Sequence, residues 1–285
     1  MAELPISIYQ SAMRYKKIEY DGLTLYPILV IEYSDFTIAQ PALAVMHQSL
    51  PVAYMRMPLL AALYAMDYDA VSNGKPVTGM FSRSLLALAL ALRLGAGKTI
   101  EERTGMFQVM VDRENYAKLI GLRFTDAGGQ EKEITPAQYT NLRKIIAAQN
   151  GVKLEDDKAN PDIVKAQQDK ASAASMQLDA NIEDWISAIS ALTGVEEDKI
   201  DKWPILKLQR RSDSFNRILS YLVCGIGEVS GTTWKGGNPT PHPFFARADD
   251  GNGILTALGG SADGKQPAPP QAASAIREIT RNFQP

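Results

Sequence analysis

Few residues in this chain have the chemistry for catalysis or metal binding. The sequence contains one cysteine, Cys224, and two histidines, His47 and His242. One cysteine cannot form an internal disulfide, and three such side chains cannot build a Cys/His zinc cluster. Neither histidine lies in a recognisable nucleophile motif. We therefore expect no enzymatic activity, no metal and no cofactor. An enzyme that uses His47 or His242 is the least favoured hypothesis.

The segment Gly95-Ala96-Gly97-Lys98-Thr99 ends like a phosphate-binding loop. That motif requires a glycine five residues before Gly97, where this chain has Leu92, and a strand in front of the loop, where a helix is predicted. We interpret the segment as the end of a helix, with Gly95 or Gly97 as the left-handed cap.

Two further segments allow a structural and a functional interpretation. Residues 239–245 read Pro-Thr-Pro-His-Pro-Phe-Phe, an extended proline-rich pattern that either straps Phe244 and Phe245 onto the folded body or serves as a recognition motif. The second is a stripe on one side of a predicted helix, which is either a solvated face or a contact for an acidic partner or nucleic acid. Its members are Lys207, Arg210, Arg211, Ser214 and Arg217.

Overall charge and hydropathy name no partner. Thirty basic and 32 acidic side chains give a net charge of −2, so no positive field attracts nucleic acid or anionic lipid. The most apolar stretch covers residues 85–94, whereas a membrane-spanning helix needs about 20 apolar residues. We expect neither a nucleic-acid nor a membrane partner.

The elements that hold these residues predict an α+β fold that is predominantly α-helical. Asp21-Gly22 between β-rich runs predicts an N-terminal β-hairpin, which helices follow. Residues 107–134 predict a small second β element. Thr135-Pro136-Ala137-Gln138 has the form of a capping box and opens a helix that ends at Gly151.

Composition divides the chain into four parts. We predict an N-terminal α+β domain over residues 1–150, a polar tether or exposed helix over 151–180, and a helical C-terminal region over 181–224. The last part, 225–285, holds ten glycines and seven prolines among 61 residues, which predicts a flexible tail because it exceeds the fraction of about 25% typical of disorder.

Apolar residues at helical spacing are the candidate partner contacts. The helix that contains residues 85–94 is apolar nearly all round, which predicts burial inside the fold or against another subunit. Residues 182–193 form a second amphipathic helix. The predicted contacts are Leu85, Leu88 and Leu92 of the first helix and Trp185 and Ile189 of the second. The list also includes Phe244 and Phe245 of the proline-rich segment.

Several segments together resemble a family of tail assembly chaperones, or tail-associated proteins, of phages that infect Gram-positive bacteria. The first is Gly22-Leu-Thr-Leu-Tyr-Pro-Ile-Leu-Val, which is similar to the opening strand of the family. The others occur in the order of its C-terminal half: Leu142–Asn150, Asn160-Pro161, Leu192–Val195 and Glu228–Gly231. The glycine- and proline-rich end after Gly231 departs from the family pattern.

The resemblance implies a non-enzymatic protein with no catalytic residues, encoded near the gene of the tape-measure protein. The partners that the resemblance implies are the tape-measure protein and the tail tube protein, and the apolar helix that contains residues 85–94 also allows a second copy of the chain. It would act in the host cytoplasm during tail assembly. The alternative is a permanent virion protein of the tail or of the head–tail junction.

Overall fold

The computed structural model describes residues 5–126, 128–154 and 181–229. The fold is α+β, with helices and two small antiparallel sheets. The helices of the described part are α1 Ile6–Met13, α2 Tyr33–Ala44, α3 Leu59–Ser72, α4 Met80–Ala91, α5 Ile100–Thr104, α6 Pro136–Gln149, α7 Ile182–Thr193, α8 Glu197–Ile200 and α9 Ile205–Val229. The strands are β1 Ile18–Tyr20, β2 Leu23–Leu25, β3 Gln108–Val111, β4 Leu119–Thr125 and β5 Glu131–Ile134.

The N-terminal hairpin has the predicted turn. Strands β1 and β2 pair antiparallel with Tyr20 opposite Leu23, so Asp21 and Gly22 form a two-residue loop. Both have positive φ angles, 50° and 73°, as a turn of type I′ requires. Glycine at the second position avoids the steric cost that a side chain would add there.

Replacing Gly22 with alanine is expected to destabilise the protein by about 1 kcal/mol, because an L residue in the left-handed region costs about 1–2 kcal/mol. A β carbon at this position meets no atom within 4 Å, so the loss measures backbone strain and not a clash. Urea unfolding followed by circular dichroism gives the change. An unchanged unfolding midpoint would contradict the assigned turn.

The second β element is a three-stranded antiparallel sheet in the order β3-β4-β5, which confirms the prediction for residues 107–134. Alternate residues of β4 point into the core, where Leu122 and Phe124 are buried. The ring of Phe107 packs edge-on against that of Phe124 with centroids 5.5 Å apart. One face of this sheet therefore closes the core that the helices build.

Helix α4 occupies the centre of the first core. Every residue from Ser84 to Ala91 is buried, and α2, α3, α5 and α6 all pack against the helix. These neighbours explain why α4 is apolar on all sides, because a helix can be hydrophobic all round only when other elements enclose it. Burial inside the fold, one of the two predicted alternatives, is what the structure shows.

The C-terminus of α4 differs from the prediction. Arg93, and neither Gly95 nor Gly97, occupies the left-handed cap position, with φ 56°. The N–H of Leu94 donates to the carbonyl of Ala89 at 2.8 Å, and that of Arg93 donates to the carbonyl of Leu90 at 3.1 Å, which is a Schellman motif. The guanidinium of Arg93 lies 4.4 Å from the ring centre of Tyr26, and this contact compensates the strained backbone.

Helix α6 begins and ends as predicted. Thr135 and Gln138 form the reciprocal capping box, and Gly151 follows the helix with φ 71°. Its last polar residues are fully buried and bond to the N-terminal segment. Gln149 donates to the carbonyls of Lys16 at 3.1 Å and Leu25 at 3.2 Å, and Asn150 accepts from the N–H of Ile28 at 2.9 Å. These bonds attach the hairpin to α6.

The chain divides into two compact units, residues 1–212 and 213–285, and the boundary lies inside α9. The predicted helical region 181–224 therefore does not coincide with a unit. Helix α9 also continues to Val229, past the start of the predicted tail at residue 225. Residues 155–180 and 230–285, the core of the predicted tether and most of the predicted tail, lie outside the described residues.

Candidate interaction surface

Three of the predicted partner contacts lie inside the protein. Leu85, Leu88 and Leu92 of the α4 region are 6%, 0% and 7% exposed and pack into the core of the first unit. Side chains enclosed by their own chain offer no area to another protein. Their apolar pattern is thus explained by the core, and the structure corrects their assignment as partner contacts.

The predicted contacts on α7 are also largely turned inward. Ile189 is buried, and Trp185 is half-buried. Ile186 and Ile200 are buried with Ile189 as α7 packs against the short helix α8. Leu192 of α7 is a large apolar residue with 52% of its surface accessible. Phe244, Phe245 and His242 lie outside the described residues.

His47 has a structural environment. It lies in a short 3₁₀ turn after α2, and its Nε2 is 2.8 Å from the carbonyl oxygen of Met57. That bond ties the turn to the loop before α3. Within residues 5–126, 128–154 and 181–229, no group of three or more His, Cys, Asp or Glu side chains is placed to hold a metal ion.

The Gly95–Thr99 segment links two helices. Gly95 and Gly97 both have positive φ angles, and Thr99 forms a capping box with Glu102 at the start of α5. The Glu102 carboxylate accepts hydrogen bonds from the backbone N–H and from the hydroxyl of Thr99. These two bonds hold the pKa of Glu102 below its usual value. The loop follows helix α4, as predicted, whereas a phosphate-binding loop follows a strand.

The apolar surface with the clearest pattern belongs to the second unit. Leu219, Leu222 and Ile226 of α9 are 50%, 51% and 68% exposed. At 100° per residue they point within about 60° of one another, so they form one stripe, which we call the apolar face of α9. A stripe of exposed apolar residues is a candidate interaction surface, whereas apolar residues that are exposed singly are normal on a protein surface.

Sequence reasoning identified only part of this face. Leu219 and Leu222 lie in the predicted helical region 181–224, but Ile226 falls beyond its predicted end. The predicted tail begins at residue 225, and the glycines at 225 and 227 each disfavour a helix interior by about 1 kcal/mol. The spacing i, i+3, i+7 was the available signal that α9 continues.

A second exposed apolar stripe lies on α1 in the first unit. Ile6, Tyr9 and Met13 share the spacing i, i+3, i+7 and are 75%, 40% and 41% exposed. The adjacent side of α1 buries Ala12, and the helix packs on α6. Helix α1 was not predicted, because its eight residues lack a side-chain cap and carry a weak pattern.

No described helix combines the length and the apolar character needed to cross a membrane. Comparison with known proteins places the chain in no group: no protein-family model, curated protein or solved structure matches it. We therefore infer function from the residues themselves and from the exposed surfaces that the fold creates.

Proposed function

We propose that this protein is a non-enzymatic phage tail assembly protein that binds the tape-measure protein and tail tube subunits during tail morphogenesis. The observation that carries the proposal is the apolar face of α9. An exposed helical stripe accepts the apolar stripe of a partner helix. The segments Gly22–Val30 and Leu142–Asn150 resemble the tail assembly family, and they support this choice of partner.

A tape-measure protein is a long, largely apolar helical chain that needs cover until the tail tube polymerises around it. Exposed apolar segments of such a chain aggregate. Binding through the apolar face of α9 would cover one stretch of it. Burying the three half-exposed side chains supplies roughly 2–4 kcal/mol before the cost of association is subtracted. One contact is thus weak, and several copies along one partner are needed.

Co-expression with the tape-measure protein of the same phage tests the proposal. We expect this chain to raise the soluble yield of that protein several-fold and to co-purify with it. The variant Leu219→Gln/Leu222→Gln/Ile226→Gln is expected to lose both effects, because glutamine keeps the helix propensity and removes the apolar area.

A matched control replaces three apolar residues that are exposed elsewhere, Ile31→Gln/Val52→Gln/Val71→Gln, and should behave as the wild type. Equal loss in both variants, or no co-purification of the wild type, would contradict the proposal. Mass spectrometry of purified phage particles distinguishes the assembly protein from the alternative. A permanent virion protein of the tail or head–tail junction is present in the particles in stoichiometric amount.

A further inference from the structure

The end of α1 and the start of α9 meet in the first unit. The guanidinium of Arg210 donates to the carbonyl of Met13 at 2.7 Å and lies 5.5 Å from the ring centre of Tyr15. The next turn of chain is fixed as well, because Gln149 donates to the carbonyl of Lys16. Arg14 and Lys16, which flank Tyr15 in the chain, are therefore held beside the first turns of α9.

This arrangement adds two cations to those of the helix. Lys207 and Arg211 are one turn apart on α9, and residues at that spacing share a face. Arg14, Lys16 and Arg211 are exposed. We call Arg14, Lys16, Lys207 and Arg211 the basic surface. Helix α9 contributes only two of these four cations, so the sequence of α9 alone does not reveal the basic surface.

Within the described residues, the cations of the basic surface are not engaged in salt bridges. Lys17 is different, since its ammonium lies 3.2 Å from the carboxylate of Glu19. Burial, and then the positive charge of Arg211, lower the pKa of Lys207. An anion bound at this place would relieve the repulsion between Lys207 and Arg211.

The backbone at Tyr15 is strained. Tyr15 has a φ of 59° at the left-handed position after α1, where glycine is preferred. The N–H of Lys16 donates to the carbonyl of Ser11 at 3.1 Å and that of Tyr15 donates to Ala12 at 3.0 Å. An aromatic residue at this position costs stability, and here its ring contacts Arg210.

We propose that the basic surface binds an acidic segment of a protein partner. Carboxylates are favoured over nucleotide bases because the aromatic rings at this place already have cations over them. The ammonium of Lys207 lies 3.8 Å from the ring centre of Trp203, and Arg210 lies over Tyr15. Binding of single-stranded nucleic acid depends on free aromatic faces for stacking. This contact is independent of the apolar face of α9.

A fluorescent peptide of about twelve glutamates, followed by anisotropy at about 50 mM salt, tests the proposal, since exposed charges interact over a longer distance at low ionic strength. The full chain is expected to bind the peptide and to release it at about 0.5 M salt. The variant Lys16→Ala/Arg211→Ala is expected to bind about tenfold more weakly.

The control variant Lys75→Ala/Arg113→Ala removes two exposed cations from other elements and changes the net charge equally. It should bind within about twofold of the wild type, and all three proteins should unfold at the same temperature. Equal weakening in both variants, no binding of the wild type, or tighter binding of a single-stranded DNA oligonucleotide at the same salt would overturn the proposal.

Discussion

Replacing Leu88 with alanine is expected to lower the free energy of unfolding by about 3–4 kcal/mol. Leu88 has no exposed surface and lies in the middle of α4, which four other helices surround. The substitution removes the transfer free energy of the lost side-chain atoms and leaves a cavity that a rigid helical frame closes only in part. Chemical unfolding in urea measures the change as a lower midpoint with an unchanged slope.

Two variants make this result specific. Leu88→Met keeps most of the volume and is expected to cost less than about 1.5 kcal/mol. Leu192→Ala removes the same atoms from a half-exposed position of α7 and should cost less than about 1 kcal/mol. A loss for Leu88→Ala no larger than that for Leu192→Ala would show that α4 is not enclosed. It would also restore Leu88 as a partner contact.

Replacing Arg103 with alanine is expected to destabilise the protein by about 3 kcal/mol. The side chain of Arg103 is 4% exposed, and its Nη1 lies 3.0 Å from the Glu32 carboxylate, which is itself 14% exposed. Its Nε also donates to the carbonyl of Lys98 at 3.3 Å and lies 3.8 Å from Asp35. Removing the cation leaves the Glu32 charge partly buried next to a second carboxylate.

A double-mutant cycle with Glu32→Gln separates the ion pair from the packing of Arg103. We expect Arg103→Ala/Glu32→Gln to be more stable than the sum of the single variants predicts, by about 1–3 kcal/mol, because neither partner then remains charged without the other. Calorimetry or urea unfolding gives the coupling free energy. Additive losses would mean that the pair contributes nothing beyond the separate side chains.

Local signals in the sequence predicted the boundaries of several elements. Asp21-Gly22 predicted the hairpin, because both backbone positions require the left-handed region. Thr135 and Gln138 predicted the start of α6, because their side chains satisfy the free N–H groups of the first turn. In each case the reason acts within four residues, so the neighbouring chain suffices to determine it.

Other elements depend on contacts between distant segments. The cap of α4 is Arg93 and not a glycine, and its guanidinium lies over the ring of Tyr26, which is 67 positions earlier in the chain. Arg103 is buried because Glu32 lies opposite its guanidinium. Neither partner can be identified from the residues around the arginine. The same holds for Asn150, whose side chain bonds to the N–H of Ile28.

By itself the sequence determined which residues are apolar at helical spacing, and it determined the α+β class, the hairpin and the capping box of α6. Only the tertiary structure decided which of those apolar surfaces remain accessible. Leu85, Leu88 and Ile189 are enclosed, whereas Leu222 and Ile226 are exposed. The physical reason is that periodicity fixes the directions in which side chains point along one helix, while exposure depends on whether another element covers that side.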